Sequence, residues 1–148
     1  MANRMAEEHL SAGGVIYRFC GDDIEVILCG RLSPKLWALP KGTPESNETI
    51  EETAVREAKE ETGLEIILET FIDVVEYWFV SPENGSLCHK QVNFYLMEAV
   101  SGDTSLHDHE FDIVEWFVAP LALRAMTYQN EVRVVKKSIA MVQARARR

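Results

Sequence analysis

Between Glu45 and Gly63 the chain specifies one sharply bounded helix together with a concentration of charge that the helix has to accommodate. Thr49 followed three residues later by Glu52 is a capping box, which makes Thr49 the N-cap, and Gly63 is the natural C′ residue that ends the helix. Seven glutamates, at 45, 48, 51, 52, 57, 60 and 61, crowd a seventeen-residue stretch. Successive side chains on a helix stand about 100° apart, so Glu57, Glu60 and Glu61 fall on one arc of about 100°. Ile50, Ala54 and Ala58 border that arc and point into the core. Three carboxylates at the edge of a buried face repel one another unless a cation neutralises them. A set of hard oxygen donors suits Mg²⁺ or Mn²⁺, which also keep positions for water and phosphate. Taken alone, the helix is equally a solvated amphipathic surface, with Glu52–Arg56 and Arg56–Glu60 as i,i+4 pairs worth about 0.2–0.5 kcal/mol each.

The rest of the chain interleaves strands with helices. Leu10–Phe19 reads as a strand in which Gly13-Gly14 marks a bulge or a close backbone approach. Asp22-Asp23 is a turn, and Ile24, Val26 and Leu28 alternate with Glu25, Ile27 and Cys29 in the second strand of a hairpin. Arg31–Pro44 reads as a loop with a short extended piece around Trp37-Ala38-Leu39. Leu64–Val80 is one or two strands, Ser81–Gly85 a turn, and Val92, Phe94 and Leu96 face one way in the strand that follows. Ser101–Glu110 is a polar loop and Ile113–Val118 a last strand. Leu121–Arg147 contains a long helix whose apolar stripe is Val132, Val135, Ile139 and Val142. The class is α/β or α+β, with a mixed sheet covered on both faces.

At 148 residues the chain is expected to form a single domain, 1–148. A net charge of −9 argues against a duplex nucleic-acid partner. No apolar run approaches a membrane span, and the N-terminal residues lack the apolar core of a signal peptide. Cys20, Cys29 and Cys88 show no C-x-x-C spacing, which fits a reduced cytoplasmic compartment better than a disulfide framework or a zinc site. The basic Ala144–Arg148 end reads as frayed and solvated.

What separates surface from site is the segment in front of the helix. Gly42, Glu48, Arg56, Glu57, Glu60, Glu61 and Gly63, with Ala58 and Leu64 at aliphatic positions, resemble the Nudix box, G-x5-E-x7-R-E-U-x-E-E-x-G-U, at all seven fixed identities. Ser11–Arg18 and Trp37–Gly42 look like the strands that precede the box in that family, which extends the resemblance over nearly the whole chain. The resemblance implies an α/β/α sandwich with a central mixed sheet. It implies that Glu60 and Glu61 ligate the main metal, Mg²⁺ or Mn²⁺ in its place, and that Glu57 ligates a second ion or positions the water. The backbone carbonyl of Lys41 or Gly42 would complete the shell, with Arg56 and Glu48 bracing the loop against the helix.

The reaction implied is attack of water on phosphorus in a nucleoside diphosphate linked to another group. The metal lowers the pKa of the water and neutralises the leaving phosphate. Glu57 is the first candidate to take the proton, and Glu110, in the loop before Trp116, is the second and a further metal ligand. Lys90, Lys41 and Arg18 are candidate phosphate contacts, each equally readable as a surface cation. His107-Asp108-His109 reads as a solvated loop rather than a zinc motif. The Trp37–Glu45 run resembles dinucleoside polyphosphate (Ap4A-type) hydrolases, which places Tyr77 as a base-stacking residue, although Tyr77-Trp78-Phe79 reads equally as sheet packing. The partner is then a small nucleotide. The alternatives are a MutT-like enzyme acting on nucleoside triphosphates and a non-catalytic module that senses a nucleotide.

Overall fold

The computed structural model describes residues 6–146. The expectations for the N-terminal Met1–Met5 and for Arg147-Arg148 lie outside the described residues. The order of elements is β1 (Glu7–Cys20), β2 (Asp23–Leu32), β3 (Lys35–Ala38), β4 (Lys41–Gly42), α1 (Ile50–Thr62), β5 (Leu64–Val80), β6 (Leu87–Gly102), β7 (Ile113–Val118), α2 (Ala119–Ala125) and α3 (Gln129–Ala146). A 3₁₀ turn at Thr104–Leu106 interrupts the polar loop before β7.

One mixed sheet of order β3-β2-β1-β6-β5 carries the domain, with β4 paired to β1 and β7 to β2. The β1–β6 pair is parallel, and the other pairs are antiparallel. Side chains on a strand alternate between faces, and that period sorts the core into two layers. Val15, Tyr17, Val26 and Leu28 pack on one face with Val132, Val135 and Val142 of α3 and Ala122 of α2. Ala12, Ile16, Ile27 and Cys29 pack on the other with Ala54 and Ala58 of α1. The result is an α/β/α sandwich.

Two segments depart from their sequence reading and a third settles an open alternative, each through a long-range partner. Arg31–Pro44 is mostly strand: β2 runs on to Leu32, β3 pairs with it from Leu32↔Lys35 to Cys29↔Ala38, and β4 pairs with Ala12-Gly13. Leu64–Val80 is one continuous strand, bent by register shifts at Glu65/Ile66, Leu68/Thr70 and Phe71/Asp73. The C-terminal helical region breaks at Met126–Tyr128. There Thr127 donates its N–H to the Trp37 carbonyl (3.0 Å) and accepts the Trp37 N–H on Oγ1 (2.9 Å), closing the free edge of β3. The basic end is also not wholly solvated: Arg145 donates to Glu69 (2.6 Å) and to the Tyr17 hydroxyl (2.7 Å).

α1 begins and ends on the residues that cap it. Glu52 N–H donates to Thr49 Oγ1 (3.1 Å), and Thr49 N–H donates to the Glu52 carboxylate (2.9 Å). Gly63 adopts φ 76° and donates to the Lys59 carbonyl. Thr49→Ala is expected to cost about 1 kcal/mol, read as a lower urea midpoint at unchanged m-value. An unaltered midpoint would show that the α1 N-terminus is held by other contacts.

Candidate active site

The acidic face of α1 opens onto β4. Glu57, Glu60 and Glu61 line one depression with Lys41, Gly42, Asp108 and Glu110. Their exposures differ sharply. Glu61 is buried at 2% exposure, the Glu57 side chain is 17% exposed and that of Glu60 50%, so the cluster grades from core to solvent. Lys41 N–H donates to the Glu61 carboxylate (2.9 Å), which fixes β4 against the helix. Gly42 faces Glu57 so closely that a Cβ there would lie 2.2 Å from the carboxyl carbon. No residue with a side chain fits at that position without displacing Glu57.

Arg56 is the centre of the arrangement. Its guanidinium donates to both oxygens of Glu48 (Nε 2.6 Å, Nη2 3.0 Å), to Glu57 (2.8 Å), to Glu60 (3.3 Å) and to the Thr43 carbonyl (3.0 Å). Glu48 also accepts from Thr53 Oγ1 (2.7 Å) and from Glu45 N–H (2.9 Å). Arg56 and these donors hold the Glu48 carboxyl far below the ordinary range, at about 2. Glu61 moves the opposite way. Burial, and next the Glu57 carboxylate beside it, push its carboxyl up to about 9. A buried carboxylate at the end of an all-oxygen set, beside a glycine whose missing Cβ leaves the space that Glu57 occupies, is the kind of surroundings a hard divalent cation neutralises. Glu57, Glu60, Glu61 and Glu110, with the carbonyl of Gly42 or Lys41, are an oxygen donor set that fits a hard divalent cation.

The loop carrying Glu110 is fastened to the end of α1. Asp108 N–H donates to the Glu60 carbonyl (2.9 Å) and Asp103 N–H to the Gly63 carbonyl (3.2 Å). Glu110 N–H donates to Asp108 Oδ1 (3.0 Å), and the Glu110 carboxylate pairs with Arg31 (3.1 Å). Asp108 thus stands at the carboxylate cluster instead of in open solvent, and the His107 ring contacts the Asp108 carbonyl.

Beside the cluster lies a cleft of about 730 Å³ shared by Lys41, Glu61, Tyr77, Lys90, Tyr128 and Glu131. Tyr77 and Lys90 are cross-strand partners on β5 and β6. Burial, and next Lys41, push the Lys90 ammonium below its ordinary value. Lys41 is engaged within the protein: its Nζ lies 2.8 Å from a Glu131 oxygen and donates to the Leu39 carbonyl (3.1 Å). Glu131 is wholly buried and also accepts the Leu39 N–H (3.0 Å). Sequence reasoning missed Glu131, yet the signal was there: it sits four residues before Val135 in the apolar row of α3. Arg18 is placed elsewhere. It pairs with Glu25 (2.7 Å) and lies 4.1 Å over the Trp116 ring, away from this cleft.

A neutral Glu61 must lose its proton before it can ligate a cation. Mg²⁺ affinity is therefore expected to rise about tenfold per pH unit from pH 7 and to level near pH 9, with one proton released per ion. Calorimetry in buffers of different ionisation enthalpy checks this. Affinity flat across that range would remove the raised Glu61.

Comparison with known proteins gives a consistent picture. The family model described as NUDIX domain matches residues 7–137. The chain is 35% identical over 142 residues to the MutT4 protein of Mycobacterium tuberculosis, covering 91% of this chain and 56% of that protein. It also matches 15% of the length of a nudix hydrolase of Caenorhabditis elegans and 36% of that of the NAD-capped RNA hydrolase NudC of Pseudomonas aeruginosa, so it spans only part of these sequence relatives. Among solved structures it superposes on the Ap4A hydrolase of C. elegans with a TM-score of 0.77 at 24% identity, over 92% of this chain and 98% of that one. The NUDIX domain of Shewanella oneidensis NrtR, solved with ADP ribose, gives 0.68 at 16% identity over 93% and 90% of the two chains.

Proposed function

The chain belongs to the Nudix family, and we propose that it is a divalent-cation-dependent pyrophosphohydrolase that cleaves a phosphoanhydride in a nucleoside diphosphate linked to another group, with dinucleoside polyphosphates of the Ap4A type as its preferred substrates. The observation that carries the proposal is the continuity of two environments. A graded carboxylate cluster on α1 opens into a cleft whose far side presents Tyr77, Tyr128 and Lys90. One end suits a cation and phosphates, and the other suits a base and a further phosphate. The Ap4A hydrolase whose fold this chain shares carries a dinucleotide substrate in its name, which agrees with this reading.

Glu57, Glu60 and Glu61 with a backbone carbonyl of β4 would hold Mg²⁺, which would supply charge neutralisation and a lowered pKa for water. The chain's own residues do the rest. Arg56 holds Glu57 and Glu60 in fixed relation to the Thr43 carbonyl, and such positioning is worth large factors in rate. Glu57 is the first candidate to accept the proton of the attacking water, since it lines the carboxylate depression and is partly exposed; Glu110 is the second. Lys90 orients a phosphate and Tyr77 offers its ring to a base. Arg18, engaged with Glu25 and Trp116, has no part in this scheme.

The test is product analysis of the purified protein with Mg²⁺ on Ap4A, ATP, 8-oxo-dGTP and ADP-ribose. Ap4A cleaved to ATP and AMP at the highest kcat/KM is the expected result. Pyrophosphate release from a triphosphate at the highest kcat/KM would replace it with the sanitising reaction, and turnover of none would point to a nucleotide sensor. Glu60→Gln is expected to lower kcat at least about a hundredfold in a folded protein. Near-normal kcat in that variant would remove Glu60 from the site.

A further inference from the structure

We propose that Glu7, His9 and Cys88 form a second metal site, built for one Zn²⁺ ion held by a carboxylate, an imidazole and a thiolate, with a fourth position open to water. The site follows from the sheet register and not from linear spacing. β1 and β6 run parallel with Glu7 opposite Cys88, 81 residues away in sequence, so their side chains leave the sheet on one face. His9, two residues beyond Glu7, returns to that same face. Glu7 Oε1 lies 3.7 Å from His9 Nε2 and Glu7 Oε2 3.9 Å from Cys88 Sγ. One donor atom from each residue lies within 4.8 Å of the other two.

Tetrahedral zinc with bonds of about 2.0–2.3 Å separates its ligand atoms by about 3.4–3.7 Å. The observed donors, within 4.8 Å of one another, need to close by at most about 1.4 Å. Cys88 is buried between β1 and β5 and supplies the fixed ligand, while Glu7 and His9 are exposed and supply the adjustable ones. The mixture of donors also sets this place apart from the carboxylates of α1. Sulfur and imidazole favour Zn²⁺, whereas an all-oxygen set favours Mg²⁺. Binding would convert the Cys88 thiol to a thiolate and release its proton to solvent. That thiol now faces the Glu7 carboxylate at 3.9 Å and the Ser86 carbonyl at 3.7 Å. The bound ion would tie the start of β1 to β6 next to Phe79, whose ring centroid is 6.3 Å from that of His9 and which lines the nucleotide cleft.

Cobalt reads the site directly, because a thiolate ligand gives a near-ultraviolet charge-transfer band that carboxylates cannot give. Chelator-treated full-length protein titrated with Co²⁺ is expected to develop that band with one equivalent of cobalt. Zn²⁺ should displace it, and excess Mg²⁺ should not. Cys88→Ser should abolish the band. His9→Ala, a change at an exposed position, should weaken Co²⁺ binding by at least the roughly 10–100-fold that follows loss of a mere outer-shell partner. Glu60→Gln should keep the band, which separates this site from the cluster on α1. No band in the unmodified chain, a band that survives in Cys88→Ser, or unchanged affinity in His9→Ala would overturn the proposal.

Discussion

The guanidinium of Arg56 is the interaction on which the rest of the site depends. It meets Glu48, Glu57, Glu60 and the Thr43 carbonyl at once, from a side chain that is 20% exposed. Hydrogen bonds to charged groups contribute about 1.5–3 kcal/mol each, where a solvated ion pair contributes little. A planar fork can serve several acceptors in fixed directions, and a lysine ammonium could not. The same contacts make repulsion tolerable. Glu57 and Glu61 are neighbours on the helix, and Arg56 donates to the Glu57 carboxylate while Lys41 N–H donates to that of Glu61. Carboxylate separation, loop position and helix position are thus set together.

Backbone approach is the second constraint. Gly42 leaves space that the Glu57 carboxylate fills, and Gly63 turns the chain with a positive φ where a Cβ would strike the Asp103 carbonyl oxygen at 2.3 Å. The first lets β4 press a carbonyl-bearing strand against the acidic face. The second lets the loop of Asp103–Glu110 pack across the end of α1, which delivers Asp108 and Glu110. Behind β4, the buried Glu131 ties Leu39 and Lys41 to α3, so the strand that faces the site is anchored from both layers of the sandwich.

The parts of this arrangement that lie close in sequence were legible there. Thr49, Glu52 and Gly63 bound the helix through contacts spanning three or four residues, and the 3.6 period placed Glu57, Glu60 and Glu61 on one side of it. The α/β or α+β class with a sheet covered on both faces followed from strands interleaved with helices, and the resemblance implied the α/β/α sandwich. What escaped was made by distant partners. β3 and β4 exist because β2 and β1 offer them edges, and the helical break at Thr127 exists because β3 needs its outer edge closed. Asp108 read as solvated because nothing local reveals its bond to the Glu60 carbonyl. Arg18 read equally as a phosphate contact or a surface cation because a cation on a strand gives no sign of its face; Glu25 and Trp116 hold it away from the cleft. Glu131 carries the overlooked signal, a carboxylate in the apolar row of an amphipathic helix.

If Arg56 sets the carboxylate geometry, then removing it must damage cation binding more than it damages the fold. Mn²⁺ binding followed by electron paramagnetic resonance, on Arg56→Ala beside the unaltered chain, measures this with both proteins shown to be folded by circular dichroism. Affinity lower by at least about tenfold is the expected result, because Glu57 and Glu60 lose their fixed positions. Equal Mn²⁺ affinity in a folded Arg56→Ala protein would contradict it, and the carboxylates would then be positioned by the helix alone.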